Sequence, residues 1–220
     1  MTRFFQAIML LFLATVFARG EWMAHTELQV FVLPSADARL LLPELSDEGK
    51  IEAAVVKLNQ LVEKGRTSLA ATLVGSGVAG TNIAAKQVEE VRYGIEWDPP
   101  EPLGAGKLSG YFLLPSNSDL REVGVLFFAA TKASEDGRVL RMTVDHSHVR
   151  LLGWSETEAA RLPDNSKVAI KQPRFAISRG EGEIAMASGS RTLLGVYPVP
   201  GKPGEMEIFI LKAWMTPTAK

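Results

Sequence analysis

A hairpin pattern between residues 120 and 154 constrains the fold of this chain more than any other stretch. Its first strand, Val123–Thr131, carries no charge on either alternating face, which predicts a strand covered on both sides. An Asp136-Gly137 turn follows, where Gly can adopt positive φ without steric cost. The returning strand has the period of two that is typical of a half-buried strand. One of its faces holds Leu140, Met142 and Val144, and the other holds Arg141, Thr143 and Asp145.

Two helices are predicted near the N-terminus. Apolar residues recur at helical spacing from Asp47 to Lys64, and Gly65 stands where a C-terminal cap belongs, so one long helix should pack on a face of the sheet. A shorter helix is expected to begin at Ser35 and to end before Pro43.

Further along, Ser155 and Glu158 have capping-box spacing and predict one or two helical turns that end before Pro163. The Pro- and Gly-rich stretch Pro99–Lys107 is expected to be a loop. The other predicted strands are Glu27–Leu33, Ser68–Val74, Val88–Trp97, Leu108–Leu114, Lys167–Ser178, Glu183–Ala187, Thr192–Val199 and Met206–Met215. We therefore expect an α+β fold, mainly β, with antiparallel sheets and one long N-terminal helix, in a single domain over residues 21–220.

The first twenty residues, Met1–Gly20, have the pattern of an export signal. Arg3 supplies the positive start, Phe4–Phe17 the apolar stretch, and small residues follow at Ala18 and Gly20. Cleavage after either small residue fits the pattern. The alternative is a permanent membrane helix, but the apolar run is shorter than the roughly 20 residues that span a bilayer.

Composition narrows the functions open to an exported chain. It contains no cysteine, so neither a disulfide nor a lipid on a cysteine is expected, and stability must come from an ordinary core. Loss of Arg3 and Arg19 with the leader leaves 22 basic and 25 acidic residues, a net charge of −3. No cluster of Lys and Arg remains to neutralise phosphates, which argues against nucleic acid as a partner.

The segment Gly75–Gly80 (GSGVAG) matches the GxGxxG pattern of dinucleotide-binding loops. That pattern needs a parallel βαβ unit around it, whereas the segments that follow are hairpin-like. A turn between two strands is the preferred interpretation, and no cofactor is expected.

His146 and His148 share one strand face, a spacing that can present two imidazoles to a metal ion. Two ligands are too few for a zinc site, and His25 lies near the processed terminus. Asp145 points to the opposite face. We interpret the pair as a polar continuation of the apolar face before it, with no metal bound.

The search for catalytic motifs identifies no catalytic residue. There is no GxSxG, HExxH or SxxK motif. A pair of distant carboxylates could still assemble a hydrolase, so that alternative stays open.

Seven segments, in order, resemble the C-terminal domain of bacterial secretins, the ring-forming channels of type II and type III secretion and type IV pilus systems. The similarity covers about residues 69–217. The segments are Tyr93–Pro100 (YGIEWDPP), Arg121–Val125 (REVGV), the Asp136-Gly137 turn, Val149–Trp154 (VRLLGW), Gln172–Phe175 (QPRF), Gly189–Gly195 (GSRTLLG) and Ile208–Leu211.

The chain also departs from the secretin pattern. Only about 50 mature residues precede the similar region, where secretins carry several periplasmic modules. The apolar lip segment of the family is replaced by the short stretch Val196–Gly204. A membrane-spanning strand needs about 9–11 residues with an unbroken apolar face, and the hairpin face is interrupted by His146 and His148.

The resemblance implies an exported, non-enzymatic structural or accessory protein with a reduced secretin-like domain in a secretion- or pilus-related envelope assembly. Its partners would be copies of itself or other envelope proteins, in the periplasm or at the outer membrane without spanning it. The alternative is a soluble periplasmic binding module that keeps the fold without ring assembly.

Overall fold

A computed structural model of the chain describes residues 22–98, 101–102, 111–112, 115–161 and 167–218. The predicted leader Met1–Gly20 lies outside the described residues. So do most of the Pro99–Lys107 loop, most of the Leu108–Leu114 strand, and Pro163.

Within these ranges the chain is mainly β, as the sequence predicts, with strands in antiparallel sheets. The helices are α1 (Ser35–Leu45) and α2 (Ile51–Glu63). The strands are β1 (Trp22–Pro34), β2 (Ser68–Val78), β3 (Asn82–Trp97), β4 (Glu101–Pro102), β5 (Tyr111–Phe112), β6 (Pro115–Ala133), β7 (Val139–Arg161), β8 (Lys167–Ala187), β9 (Arg191–Pro198) and β10 (Glu205–Pro217).

Two four-stranded sheets pack face to face. Sheet I has the strand order β2-β1-β10-β9, and sheet II has the order β3-β6-β7-β8. Every neighbouring pair in both sheets is antiparallel. The apolar inner faces form one core, which includes Leu28, Val30, Leu73, Val125, Phe127, Leu140, Met142, Val144, Phe209 and Leu211.

The helices cover part of the outer face of sheet I. Their buried residues pack with Phe31, Leu33, Ile208 and Ile210 of β1 and β10. The predicted packing of a helix on a sheet is therefore confirmed, and the molecule has three layers over this region.

The long predicted helix is shorter than expected. α2 begins at Ile51 because the Asp47 side chain accepts a hydrogen bond from the Gly49 backbone N–H at 2.9 Å, in a turn that precedes the helix. α1 is longer than expected and contains Pro43. Its last turn buries Leu45, which is 1% exposed in the helix-side core, so packing outweighs the backbone hydrogen bond that proline cannot make.

The predicted helical turns at Ser155 and Glu158 are wrong, because β7 continues as a strand through both residues. Their side chains have partners across the ladder instead of in a capping box. The Ser155 hydroxyl donates to the Gln172 carbonyl at 3.1 Å, and Glu158 pairs with Lys167 at 3.1 Å.

Two predictions about glycines also change. The segments Lys167–Ser178 and Glu183–Ala187 are one strand, β8, since Gly180 continues the ladder opposite His146. Gly75 lies inside β2, and only the end of its segment turns, at Gly80 with φ of 100°. No helix follows that turn, because β3 begins at Asn82, so the dinucleotide-binding unit is not formed.

The prediction that Val123–Thr131 is covered on both sides is wrong. Phe127 is fully buried between the sheets, whereas Phe128 is 49% exposed on the outer face of sheet II. Sheet I covers one face of the strand, and within the described residues no element covers the other. The predicted hairpin is confirmed, with Gly137 at φ of 67° in its turn.

Sheet II divides into two ribbons beyond the core. The pairing of β6 with β7 ends at Gly124 and Val149, while β3 stays paired with β6 and β7 with β8. Gly124 has φ of 137°, and a side chain there would collide with the Gln87 carbonyl. The ribbons then meet through Tyr93 and Phe175, whose rings are 5.8 Å apart.

Candidate functional site

The two hairpin histidines lie between the sheets, as the continuation of the apolar face of β7 predicts. His146 is 2% exposed and packs on the Phe209 ring at 4.7 Å. Its Nε2 lies 3.2 Å from the Tyr197 hydroxyl, while its Nδ1 has no partner among the described residues. Burial lowers the pKa of His146, since the charged ring would lose its hydration.

His148 belongs to a buried ionic cluster centred on Glu207, which is fully buried on β10. Arg150 donates to both carboxylate oxygens, at 2.9 and 2.6 Å. His148 Nδ1 lies 3.0 Å from Glu207 Oε2 and must carry the proton, because a carboxylate only accepts. The cluster therefore joins sheet I to sheet II through charge-assisted hydrogen bonds.

The pKa of the Glu207 carboxyl reflects two opposing effects. Burial favours the neutral acid and raises the pKa, but hydrogen bonds from His148, Arg150 and Ser178 outweigh burial and lower the pKa from 4.5 to about 2. Glu207 is thus an anion at neutral pH, held by a cation from the facing sheet. Sequence reasoning missed this residue, although a single acid inside the apolar run of β10 was a visible signal.

The structure does not gather the three histidines into one place. The two ring nitrogens of His25 lie 2.8 Å from the Ser76 hydroxyl and 2.9 Å from the Thr216 hydroxyl, on the outer face of sheet I. Asp145 points away from His146 and pairs with Arg179 at 2.7 Å. Among the described residues no group of three or more His, Asp or Glu side chains is placed to hold a metal. Metal independence stays a prediction.

The edges of the two sheets form the most extended candidate surface for binding. β2 and β3 are consecutive strands, and both lie at one side of the molecule, where a side chain at Gly75 would press on Ile83. β8 and β9 lie together at the other side, where Gly180 faces the Tyr197 hydroxyl. Each of these four strands is paired on one side only within the described residues.

The outer face of sheet II is the second candidate surface. A hollow of about 520 Å³ lies beside Phe128, and its other lining residues include Ala130, Thr143, Asp145 and Glu183. No helix in the described part of the chain is long and apolar enough to cross a membrane.

Solved secretin structures are similar to this chain. The type II secretin GspD of enteropathogenic Escherichia coli aligns with 10% identity and a TM-score of 0.45, over 97% of this chain and 75% of that chain. The GspD secretin in an ETEC complex with the pilotin AspS aligns with 9% identity and a TM-score of 0.45, over 99% and 54%. The Klebsiella pneumoniae type II outer membrane complex of PulD, PulS and the PulC HR domain aligns with 11% identity and a TM-score of 0.41, over 96% of this chain and 42% of that chain.

These structures come from the family that the sequence motifs resemble. No protein-family model matches the chain, and no curated protein matches it. The chain spans 75%, 54% and 42% of the three solved chains.

Proposed function

We propose that this chain is an exported, non-enzymatic structural or accessory protein of a secretion- or pilus-related envelope assembly, and that it works by side-by-side association of its sheets. The observation that carries the proposal is the pair of free edges on each side of the molecule. β2 and β3 form one such side, and β8 and β9 form the other.

The number and direction of the strands allow a second copy to extend both sheets. Each sheet has four antiparallel strands, so its two edge strands run in opposite directions. A second copy that places β3 against β8 would therefore keep the antiparallel alternation of sheet II. The same placement would bring β2 of that copy beside β9, so sheet I would be extended together with sheet II.

The length of the edge strands of sheet II also supports association through the sheet edges. All four strands of sheet II are paired from Asn82 to Val88 of β3 and from Ile177 to Ala187 of β8, and both stretches are longer than the usual strand of about 5–6 residues. Soluble proteins usually shorten or cover edge strands, because unpaired backbone groups pair readily with another chain. Over this stretch the two edges lie on opposite sides of sheet II, so contacts between copies there are head-to-tail and either close into a ring or extend as a filament. Beyond it β3 and β8 meet within one chain, where Gln172 Nε2 donates to the Gly94 carbonyl at 2.9 Å.

The size of the mature protein without detergent tests this function. Sedimentation and electron microscopy should show a discrete oligomer with a repeating wall, both for the purified protein and in cell-envelope preparations. A monomer at high micromolar concentration, with no ring in the envelope, would contradict the proposal and favour the binding module.

The binding-module alternative has one observation of its own. The exposed Phe128 ring and the hollow beside it offer a surface that does not depend on the strand edges. A monomer that retains this surface would bind its partner through sheet II.

A further inference from the structure

The outer face of sheet II carries an apolar centre. Phe128 is 49% exposed there, and Ala84 and Asp145 stand opposite it on the two neighbouring strands. Ala130, one step along the same face, is also exposed. An aromatic ring held open on a rigid four-stranded sheet is the kind of group that contributes most to protein interfaces.

Two adjoining hollows surround this centre. One has a volume of about 520 Å³ and lies along Phe128, and the other has a volume of about 490 Å³ and lies towards the hairpin turn. Ala130, Thr143 and Glu183 line both hollows, so they form one continuous groove across β6, β7 and β8.

The groove has opposite charges at its two ends. Lys132 and Arg141 are directly opposite each other on β6 and β7, and neither has a partner among the described residues. Two like charges so placed repel each other, and they attract an external anion. The acidic residues are on β8: Glu183 stands opposite Thr143 in the middle of the groove, and Glu181 lies at the far end, level with Phe128 and Asp145. Arg179 lies 3.4 Å from Glu181, but its shorter bonds, at 3.1 and 2.7 Å, go to Asp145.

We infer that the occupant of this groove is the same groove of a second copy, related by a two-fold axis that runs diagonally across the face of sheet II. Such an axis places the Lys132–Arg141 end of one copy on the Glu181–Glu183 end of the other, twice. The two Phe128 rings then meet near the axis. A two-fold interface is self-complementary by necessity, and a bipolar face with an apolar centre meets that condition.

A partner of a single charge fits this groove less well. A basic peptide would match the Glu181–Glu183 end and meet repulsion at Lys132 and Arg141, and an acidic peptide would have the reverse difficulty. The face contact also uses different groups from edge assembly, because it uses outward side chains of β6, β7 and β8, whereas edge pairing uses backbone groups in the plane of the sheet. It can therefore succeed or fail independently of the edge assembly.

The first test changes the apolar centre. Phe128→Glu should weaken face-to-face association by about 30-fold or more, as expected for a central aromatic contact. Sedimentation would then show smaller particles at the same concentration. Leu40→Glu is the matched control, since Leu40 is 76% exposed on α1, outside the groove. Amide hydrogen exchange of β3 and β8 distinguishes the face contact from the edge contact. Only edge pairing protects the outward-pointing amides of these strands. Phe128→Glu should therefore leave their exchange rates unchanged.

The second test exchanges the charges. A Lys132→Glu/Arg141→Glu variant carries acidic residues at both charged positions and a Glu181→Lys/Glu183→Lys variant carries basic residues at both, so each alone should lose the face contact. Mixed in equal amounts, they should associate with each other. Failure of the mixture to associate while both variants are folded, or no change with Phe128→Glu, would overturn the inference. Binding of oligo-lysine to the wild type but not to Phe128→Glu would assign the face to a basic partner and would also overturn it.

Discussion

Adjacent phenylalanines on β6 have opposite environments, because successive side chains of a strand point to opposite faces. Phe127 is fully buried in the core between the sheets, so Phe127→Ala should lower the free energy of unfolding by about 3–5 kcal/mol. Phe128→Ala removes a ring that is 49% exposed and should cost less than about 1 kcal/mol. Urea unfolding at low protein concentration, where copies are separate, measures both. Equal large losses would mean that both faces of β6 are covered.

Glu207 makes the stability of the fold sensitive to acid. The folded pKa of about 2 lies below the ordinary 4.5, so its contribution is fully present above pH 4.5 and is lost as the pH falls towards 2. A shift of this size corresponds to about 3 kcal/mol. Burial lowers the pKa of His146 below 6.5, so that residue also stabilises the fold less as the pH falls through its folded pKa.

Urea unfolding at pH 7 and pH 3 measures this dependence, with Glu207→Gln as the comparison. The variant should be less stable at pH 7, because Arg150 loses its carboxylate, and it should change less between the two pH values. An identical pH dependence in the variant would show that other carboxylates cause the acid sensitivity. The sequence indicated that this face of β7 turns polar, but the partner of His148 lies 59 residues away on β10, which periodicity alone cannot show.

At the scale of elements, Gly124 determines where sheet II divides. Its φ of 137° strains any other residue, and a side chain would strike the Gln87 carbonyl. Gly124→Ala should therefore destabilise the fold by about 1–3 kcal/mol. Gly182→Ala is the matched control in the same sheet, because its added methyl group meets no atom within 4 Å. Thermal unfolding of the two variants compares them, and equal melting temperatures would contradict the role given to Gly124.

The local sequence pattern predicted whether most described elements are helices or strands, but it failed for the outer face of β6 and for Gly180. The Asp136-Gly137 turn and the buried face of β7 depend on neighbours in sequence, and both were predicted correctly. An uncharged outer face, such as the one that carries Phe128, has the same pattern as a buried face, so the coverage of β6 could not be deduced. Gly180 suggested a turn, but its missing side chain makes room for Tyr197 of β9, which is a tertiary contact.

At the scale of the whole molecule, the proposed assembly depends on two sheets whose free edges adjoin, so that another copy would extend both. The Glu207 cluster joins β10 of sheet I to β7 of sheet II. The short turn between Val78 and Asn82 keeps the edges of β2 and β3 side by side. Contact between copies would then pair both layers at once. The sequence resemblance predicted self-association, and the arrangement of the edges gives it a specific route.

Amide hydrogen exchange on the mature protein, measured at low and high protein concentration, tests this route most directly. The outward-pointing amides of β2, β3, β8 and β9 should become protected as concentration rises, because a neighbouring strand accepts their hydrogen bonds. Amides of β1, β6, β7 and β10, each paired on both sides within one chain, should be protected at both concentrations over their paired lengths. Edge amides that exchange equally fast at both concentrations, in a sample that sedimentation shows to be oligomeric, would contradict assembly through the sheet edges.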